Sequence, residues 1–212
     1  MRKFLLFGLM ALLSGLFVAC NDGKCHISGT VPENYEGKKI FLVPLFDGRA
    51  EVVDSVVIKN GKFEFTRDTL MIAKILIDYH FRLGTQPILV VVEPGEVKVR
   101  IDSVSSASGT PANDSLQAWK ESKEKHDRDF MLMRKEIALL MNTDTVKANA
   151  LKEKADSFHL AFKNYTRRMA ANMNGNVLGD FLNGLFPRTY KRVMPDSTVV
   201  EFDADTNEPI AK

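Results

Sequence analysis

Sulfur chemistry is nearly absent from this sequence: 212 residues hold two cysteines, Cys20 and Cys25, and no Cys-x-x-Cys pair. A disulfide framework and a dithiol redox centre are excluded on that ground. Histidine is also scarce. His26, His80, His126 and His159 include no i, i+4 pair of the kind that sets two imidazoles on one helix face for zinc. No Gly-x-Ser-x-Gly elbow, phosphate-binding glycine loop or dinucleotide fingerprint occurs, so the usual marks of acyl-transfer and nucleotide enzymes are missing. Charge of one sign is lacking too. The 29 basic and 27 acidic residues leave a surplus of two, and both, Arg2 and Lys3, lie among the first 19 residues, which contain no acid. The rest of the chain is neutral and offers no field to nucleic acid. With 45% hydrophobic and 26% charged residues, the chain has the composition of a folded protein.

Only one long apolar run is present. Phe4 to Ala19 follows the basic pair and is interrupted by Gly8, Ser14 and Gly15 alone. Crossing a bilayer takes about 20 apolar residues, so residues 1–19 are expected to be a secretory signal peptide rather than a transmembrane helix. The run ends Leu16-Phe17-Val18-Ala19-Cys20. This resembles the lipobox of bacterial lipoproteins, with Phe17 where an aliphatic residue is usual. The resemblance implies lipid attachment at Cys20; the alternative is an ordinary signal peptide with an incidental cysteine. Residues 20–24 read as a polar tether. More than one acyl chain on Cys20 would hold the protein stably on a membrane without crossing it. The expected location is therefore the bacterial cell envelope, periplasmic or surface-facing, with the membrane as first partner. Cys25 is expected to be a small residue near the first strand rather than a reactive thiol.

From Cys25 to Asp102 the pattern alternates or runs apolar between turn residues, which predicts strands at 25–31, 38–46, 51–58, 62–66, 72–80, 87–93 and 96–102. Asn60-Gly61, between Val56-Val57-Ile58 and Phe63-Glu64-Phe65, is a strong hairpin signal, and Pro94-Gly95 marks a second tight turn. These strands predict an antiparallel β-sandwich domain over 25–110. The Ser/Ala/Gly/Pro-rich stretch 103–113 reads as a connection. Over 111–190 the period becomes helical. Leu116, Trp119, Phe130, Met133, Ile137 and Leu140 form one stripe, interrupted by Lys123 and His126. Leu151, Ala155, Phe158, Phe162, Tyr165 and Met169 form another, and the short turn Asn142-Thr143-Asp144 folds the two helices into an antiparallel hairpin. Asn176 caps a short third helix. Residues 191–212 read as a polar tail, with Val199-Val200-Glu201-Phe202 able to add a strand. The expected fold class is β+α, segregated along the chain.

Several pieces recur together in one group: Gly29-Thr30-Val31, Ile40-Phe41-Leu42, Val53-Asp54-Ser55, Asn60-Gly61-Lys62-Phe63-Glu64-Phe65, Val92-Glu93-Pro94-Gly95-Glu96, Ser108-Gly109-Thr110 and Asn113-Asp114. In this order they resemble a domain of unknown function of Bacteroidota lipoproteins, usually placed ahead of a thioredoxin-like, peroxiredoxin-related domain. The resemblance spans about 25 to 186. With no Cys-x-x-Cys and 26 residues after Phe186, no thioredoxin-like domain is expected, and no reductase or peroxidase activity carries over.

The remaining chemistry-bearing residues have simpler readings beside the functional ones. Asp54-Ser55 reads as a strand-end pair rather than a nucleophile with its acid. Glu93 and Glu96 resemble the two acids of glycoside hydrolysis but are more simply solvated at a turn. His126 and His159 can face each other across the helical hairpin, as packed histidines rather than ligands. The charges from Lys120 to Asp129 read as a self-paired, solvated face. Trp119, Phe130 and Met131-Leu132-Met133 belong to the seam, unless Met131 or Leu132 lies outside it and docks another protein. No catalytic residue, metal or cofactor is expected. The function read from these features is a non-enzymatic binding or interaction module. Its rivals are a glycan- or peptide-binding protein and an accessory to a separate thioredoxin-like envelope protein.

Overall fold

The computed structural model describes residues 22–47, 49, 52–77 and 88–210. Residues 1–19, expected to be a signal peptide, and Cys20, Gly48, His80 and Gly84 lie outside the described residues. Eight strands form two four-stranded sheets. The first sheet contains β1 (Cys25–Thr30), β4 (Lys62–Arg67), β7 (Gly95–Arg100) and β8 (Ser106–Ser108), in the order β4-β1-β7-β8. The second contains β2 (Lys39–Pro44), β3 (Asp54–Val57), β5 (Met71–Ile77) and β6 (Ile88–Val92), in the order β3-β2-β5-β6. After them come α1 (Pro111–Leu140), α2 (Thr145–Asn172) and α3 (Val177–Leu185). The chain thus has the segregated β+α architecture.

The two sheets differ in sequence because they differ in what covers them. In the first, Cys-His-Ile-Ser-Gly-Thr, Lys-Phe-Glu-Phe-Thr-Arg and Gly-Glu-Val-Lys-Val-Arg alternate, burying one face and leaving the other to water. In the second, Met-Ile-Ala-Lys-Ile-Leu-Ile and Ile-Leu-Val-Val-Val are nearly continuous apolar runs, since they are covered on both faces. Ile40, Leu42, Ile75 and Val90 face Ile27, Phe63, Phe65 and Val97 in the sandwich core. On the opposite face of the second sheet, Ile72 and Val91 meet Leu116, Trp119, Phe162, Leu178 and Leu182. The molecule is therefore three layers: sheet, sheet, helices.

Three expectations need correction. The sandwich is not wholly antiparallel, because β1 and β7 pair in parallel, Cys25 opposite Gly95 through Thr30 opposite Arg100. Asn60-Gly61 forms the tight turn, with both residues at positive φ and Lys59 and Lys62 exchanging backbone hydrogen bonds of 3.0 Å. Its flanking strands then part to different sheets, β3 pairing with β2 and β4 with β1. The stretch 103–113 contains an eighth strand and the first residues of α1 rather than a connection alone. The tail forms a hairpin of β9 (Thr189–Val193) and β10 (Val199–Asp203), so the expected strand exists and has a partner. Asp144 caps α2 through Lys147 N–H and Asn176 caps α3 through Leu178 N–H.

Candidate functional site

One end of the sandwich gathers the N-termini of β1, β3, β5 and β7 and the C-termini of β2, β4 and β6. The pairings Cys25 with Arg67, Leu42 with Asp54, Pro44 with Ala73 and Met71 with Val92 place them together. Here the helical layer is pinned to the sheets by a set of hydrogen bonds. Glu93 accepts from the Ala112 N–H at 2.9 Å and from the Asn176 side chain at 3.3 Å, so one carboxylate holds the starts of α1 and α3. It is half-buried rather than solvated as expected, because the exposed N–H of a helix's first turn offers it a partner. Asn113 is fully buried. Its carbonyl accepts from Val91 N–H at 2.9 Å and its amide donates to Val91 C=O at 2.7 Å, closing the edge of β6 as a neighbouring strand would. Gly109, at φ 110°, takes a conformation that disfavours side chains, and a β-carbon there would lie 2.4 Å from the Glu96 carbonyl oxygen.

Beside this junction lies a cleft of about 800 Å³ between the outer face of the second sheet and α3. Leu45 and Ile72 form the sheet wall, and Val177, Phe181 and Leu185 form the helix wall. Phe46 and Leu70 stand on the rim, 81% and 60% exposed. The polar lining is sparse. Asp47 is bound by Arg49 at 2.6 and 2.8 Å, and the side-chain hydrogen bonds from that guanidinium hold its carboxyl down to about 2. Arg67 meets Asp54 at 3.1 Å, and its buried Nε has no partner among the described residues. Asp180 sits in the first turn of α3, where a carboxylate is favoured by the helix dipole. This chemistry suits an apolar ligand with few polar groups.

The expected site residues are distributed differently. Asp54 is the partner of Arg67 on the edge of the cleft, while Ser55 points to solvent from the edge strand and donates its N–H to the Asp54 carboxylate. Cys25 is buried at the start of β1, and burial raises its thiol pKa, which removes nucleophilic character. His26 is tied to Asp22 at 3.2 Å. His126 and His159 do meet across the hairpin, with Nε2 and Nδ1 3.3 Å apart. His126 stacks on Phe162, Phe158 and Phe130 and lies 3.1 Å from Asp127. Desolvation first, then the neighbouring His126, lowers the His159 pKa. Met131 and Leu132 fall outside the seam, 53% and 60% exposed.

Arg67, Phe46 and Leu70 were not marked by any sequence motif. The available signal was an apolar residue next to turn residues, as in Leu45-Phe46-Asp47. Among the described residues there is no group of three or more His, Cys, Asp or Glu able to hold a metal, and no helix long and apolar enough to cross a membrane.

No curated protein and no solved structure matches the chain. The helical extension toward residue 186 lies outside the matched segment of the family comparison. Residues 25–116, which comprise both sheets and the start of α1, match the family model of a domain of unknown function, DUF4369.

Proposed function

We propose that this protein is a lipid-anchored lipoprotein of the bacterial cell envelope, attached through Cys20, that acts as a non-enzymatic binding module and takes an apolar ligand in the cleft beside α3. The cleft carries the reading: its volume of about 800 Å³ lies within the range of small-molecule sites, and apolar walls with one arginine suit such a ligand. The other reactive side chains have roles in the fold. Glu93 and Asn113 join helices to sheets, and His126 and His159 fill the helical seam. The short apolar run ending at Cys20 supports the anchor.

Trp119 is the single tryptophan and contacts Phe181, a wall of the cleft, with ring centres 6.1 Å apart. Titrating a naphthalene-sulfonate probe should change Trp119 emission and raise probe fluorescence saturably. Leu185→Arg, at a half-open wall position, should abolish both. Probe binding that Leu185→Arg leaves intact would place the apolar site elsewhere. Intact mass of the natively produced protein tests the anchor: it should equal residues 20–212 plus an acylated glycerol.

A second reading, docking of a partner protein on the helices, is supported by the exposed Met131, Leu132, Leu139 and Val146 near the hairpin tip. Replacing Met131 and Leu132 with serine should then remove the partner from crosslinked membranes without affecting probe binding.

A further inference from the structure

We propose that the cleft-bearing end of the sandwich is the membrane-facing surface, and that Phe46 and Leu70 enter a neutral phospholipid bilayer, whose acyl chains occupy the cleft. This inference rests on lipid attachment at Cys20 for its orientation, and on the cleft for its occupant.

The first support is where the chain enters the fold. Cys25 pairs with Arg67, which lines the cleft, and the Lys24 carbonyl accepts from Gly95 N–H at 2.9 Å, fixing the end of the tether there. Only four residue steps separate Cys20 from Lys24. At full extension they reach about 14 Å, so lipid on Cys20 keeps this end within about that distance of the bilayer surface.

The second support is the contrast between the two ends of the sandwich. At the tether end, Phe46, Leu70 and Leu185 are 81%, 60% and 41% exposed around one cleft. At the opposite end the exposed described residues are mostly charged or polar, among them Glu36, Lys38, Lys39, Lys59, Asn60 and Lys62, and the exposed apolar side chains are set apart, Val57 on β3 and Val104 in the β7–β8 turn. Water suits the second group, whereas a clustered apolar rim signals a covered surface.

The third is electrostatic. Arg67, the cation lining the cleft, is paired with Asp54, and Arg49, which flanks it, is paired with the lining residue Asp47. Among the described residues that line the cleft there is no unpaired positive charge for anionic headgroups, so the attraction is apolar and the fitting lipid is zwitterionic.

The test uses the lipidated protein in phosphatidylcholine vesicles, with an environment-sensitive dye on Leu70→Cys or on Lys39→Cys, which stands at the far end of β2. Cys25 is buried and does not compete for the dye. The expected result is a blue shift at position 70, quenched by brominated acyl chains, and water-like emission at position 39. Water-like emission at both positions, or equal burial of both, overturns the proposal. A second arm uses residues 21–212 without lipid, which include every residue of both cores. Their partitioning into the same vesicles should fall at least about tenfold in Phe46→Ser/Leu70→Ser, given the transfer free energy of two large apolar side chains. It should also be insensitive to 0.5 M salt, on the order of magnitude at which exposed charges are screened. Unchanged partitioning of the double variant, or loss of binding in salt, overturns the surface. Failure of the anchor appears separately, as an intact mass without acylated glycerol.

Discussion

Between the two sheets, Ile27, Ile40, Leu42, Ile75 and Val97 pack with no buried polar side chain among them. All five buried polar side chains of the described residues, Thr110, Asn113, His126, Thr166 and Arg167, belong to the helical layer or to the turn that leads into it. Aliphatic packing tolerates rearrangement as long as volume is kept, whereas hydrogen bonds fix direction. Trp119 Nε1 donates to Thr166 Oγ1 at 3.0 Å across the hairpin. Arg167 donates to the Phe186 and Pro187 carbonyls at 3.1 and 2.9 Å, just past the end of α3, and pairs with Asp205 of the terminal hairpin. The lesson is that the sandwich gives the molecule its bulk, while a few polar contacts decide where α3, and with it one wall of the cleft, stands.

The sharpest way to break this comparison is to remove an anchor from each layer. Trp119→Ala should cost about 3–5 kcal/mol in urea unfolding, and amide exchange should rise in the helices while β1, β4 and β7 stay protected. Leu42→Ala should cost about 2–5 kcal/mol and weaken protection in all layers, because the helices rest on the second sheet. Equal loss of protection in both variants would mean that the two cores unfold as one unit.

Smaller effects separate the layers by their chemistry. Asn113→Ala leaves the Val91 N–H and C=O without their side-chain partner and should cost about 1–3 kcal/mol. Acid should act on the helical layer in two windows. The lowered pKa of His159 means that the unfolded chain binds the proton more readily; stability is intact above the ordinary value of 6.5 and declines as pH falls through 6.5 toward the folded value. The Asp205 carboxyl is held down to about 2, chiefly by its hydrogen bond from Arg167, so its contribution is present above 3.8 and lost as pH falls to about 2. Thermal melts between pH 8 and 5 should show the first loss, and His159→Phe should remove it. The smallest effect is expected at the rim: Phe46→Ser should change stability by less than about 0.5 kcal/mol, because that ring is exposed in water.

Much of the architecture was legible from periodicity. Alternation in Lys62–Arg67 and Gly95–Arg100 marked strands with one wet face, and the 3-4 spacing of Leu151, Ala155, Phe158 and Phe162 marked the seam of α2. Partner choice was not legible. A strand's sequence states which face is buried but not which neighbour it meets, so the parallel β1–β7 pair and the parting of β3 from β4 stayed hidden. The three-residue β8, Ser-Ala-Ser, carries too little apolar signal to stand out from a loop. The cleft escaped for a related reason. Its walls come from the end of β2, the start of β5 and α3, segments that no local spacing connects. His126 shows the opposite case: the sequence already allowed it to face His159 across the hairpin as a packed histidine, and Phe130, Phe158 and Phe162 supply the surroundings.

The parallel pairing of β1 also governs the order in which the chain can acquire its structure. Synthesis delivers β1 first, yet it occupies an interior position whose neighbours arrive late: Cys25 meets Arg67 on one side and Gly95, seventy residues downstream, on the other. No early hairpin can satisfy both of its edges. Closing that loop costs chain entropy before the contact repays it, which makes collapse of the sandwich a slow, non-local event. Until β7 has emerged, the N-terminal strand lacks one of its two neighbours.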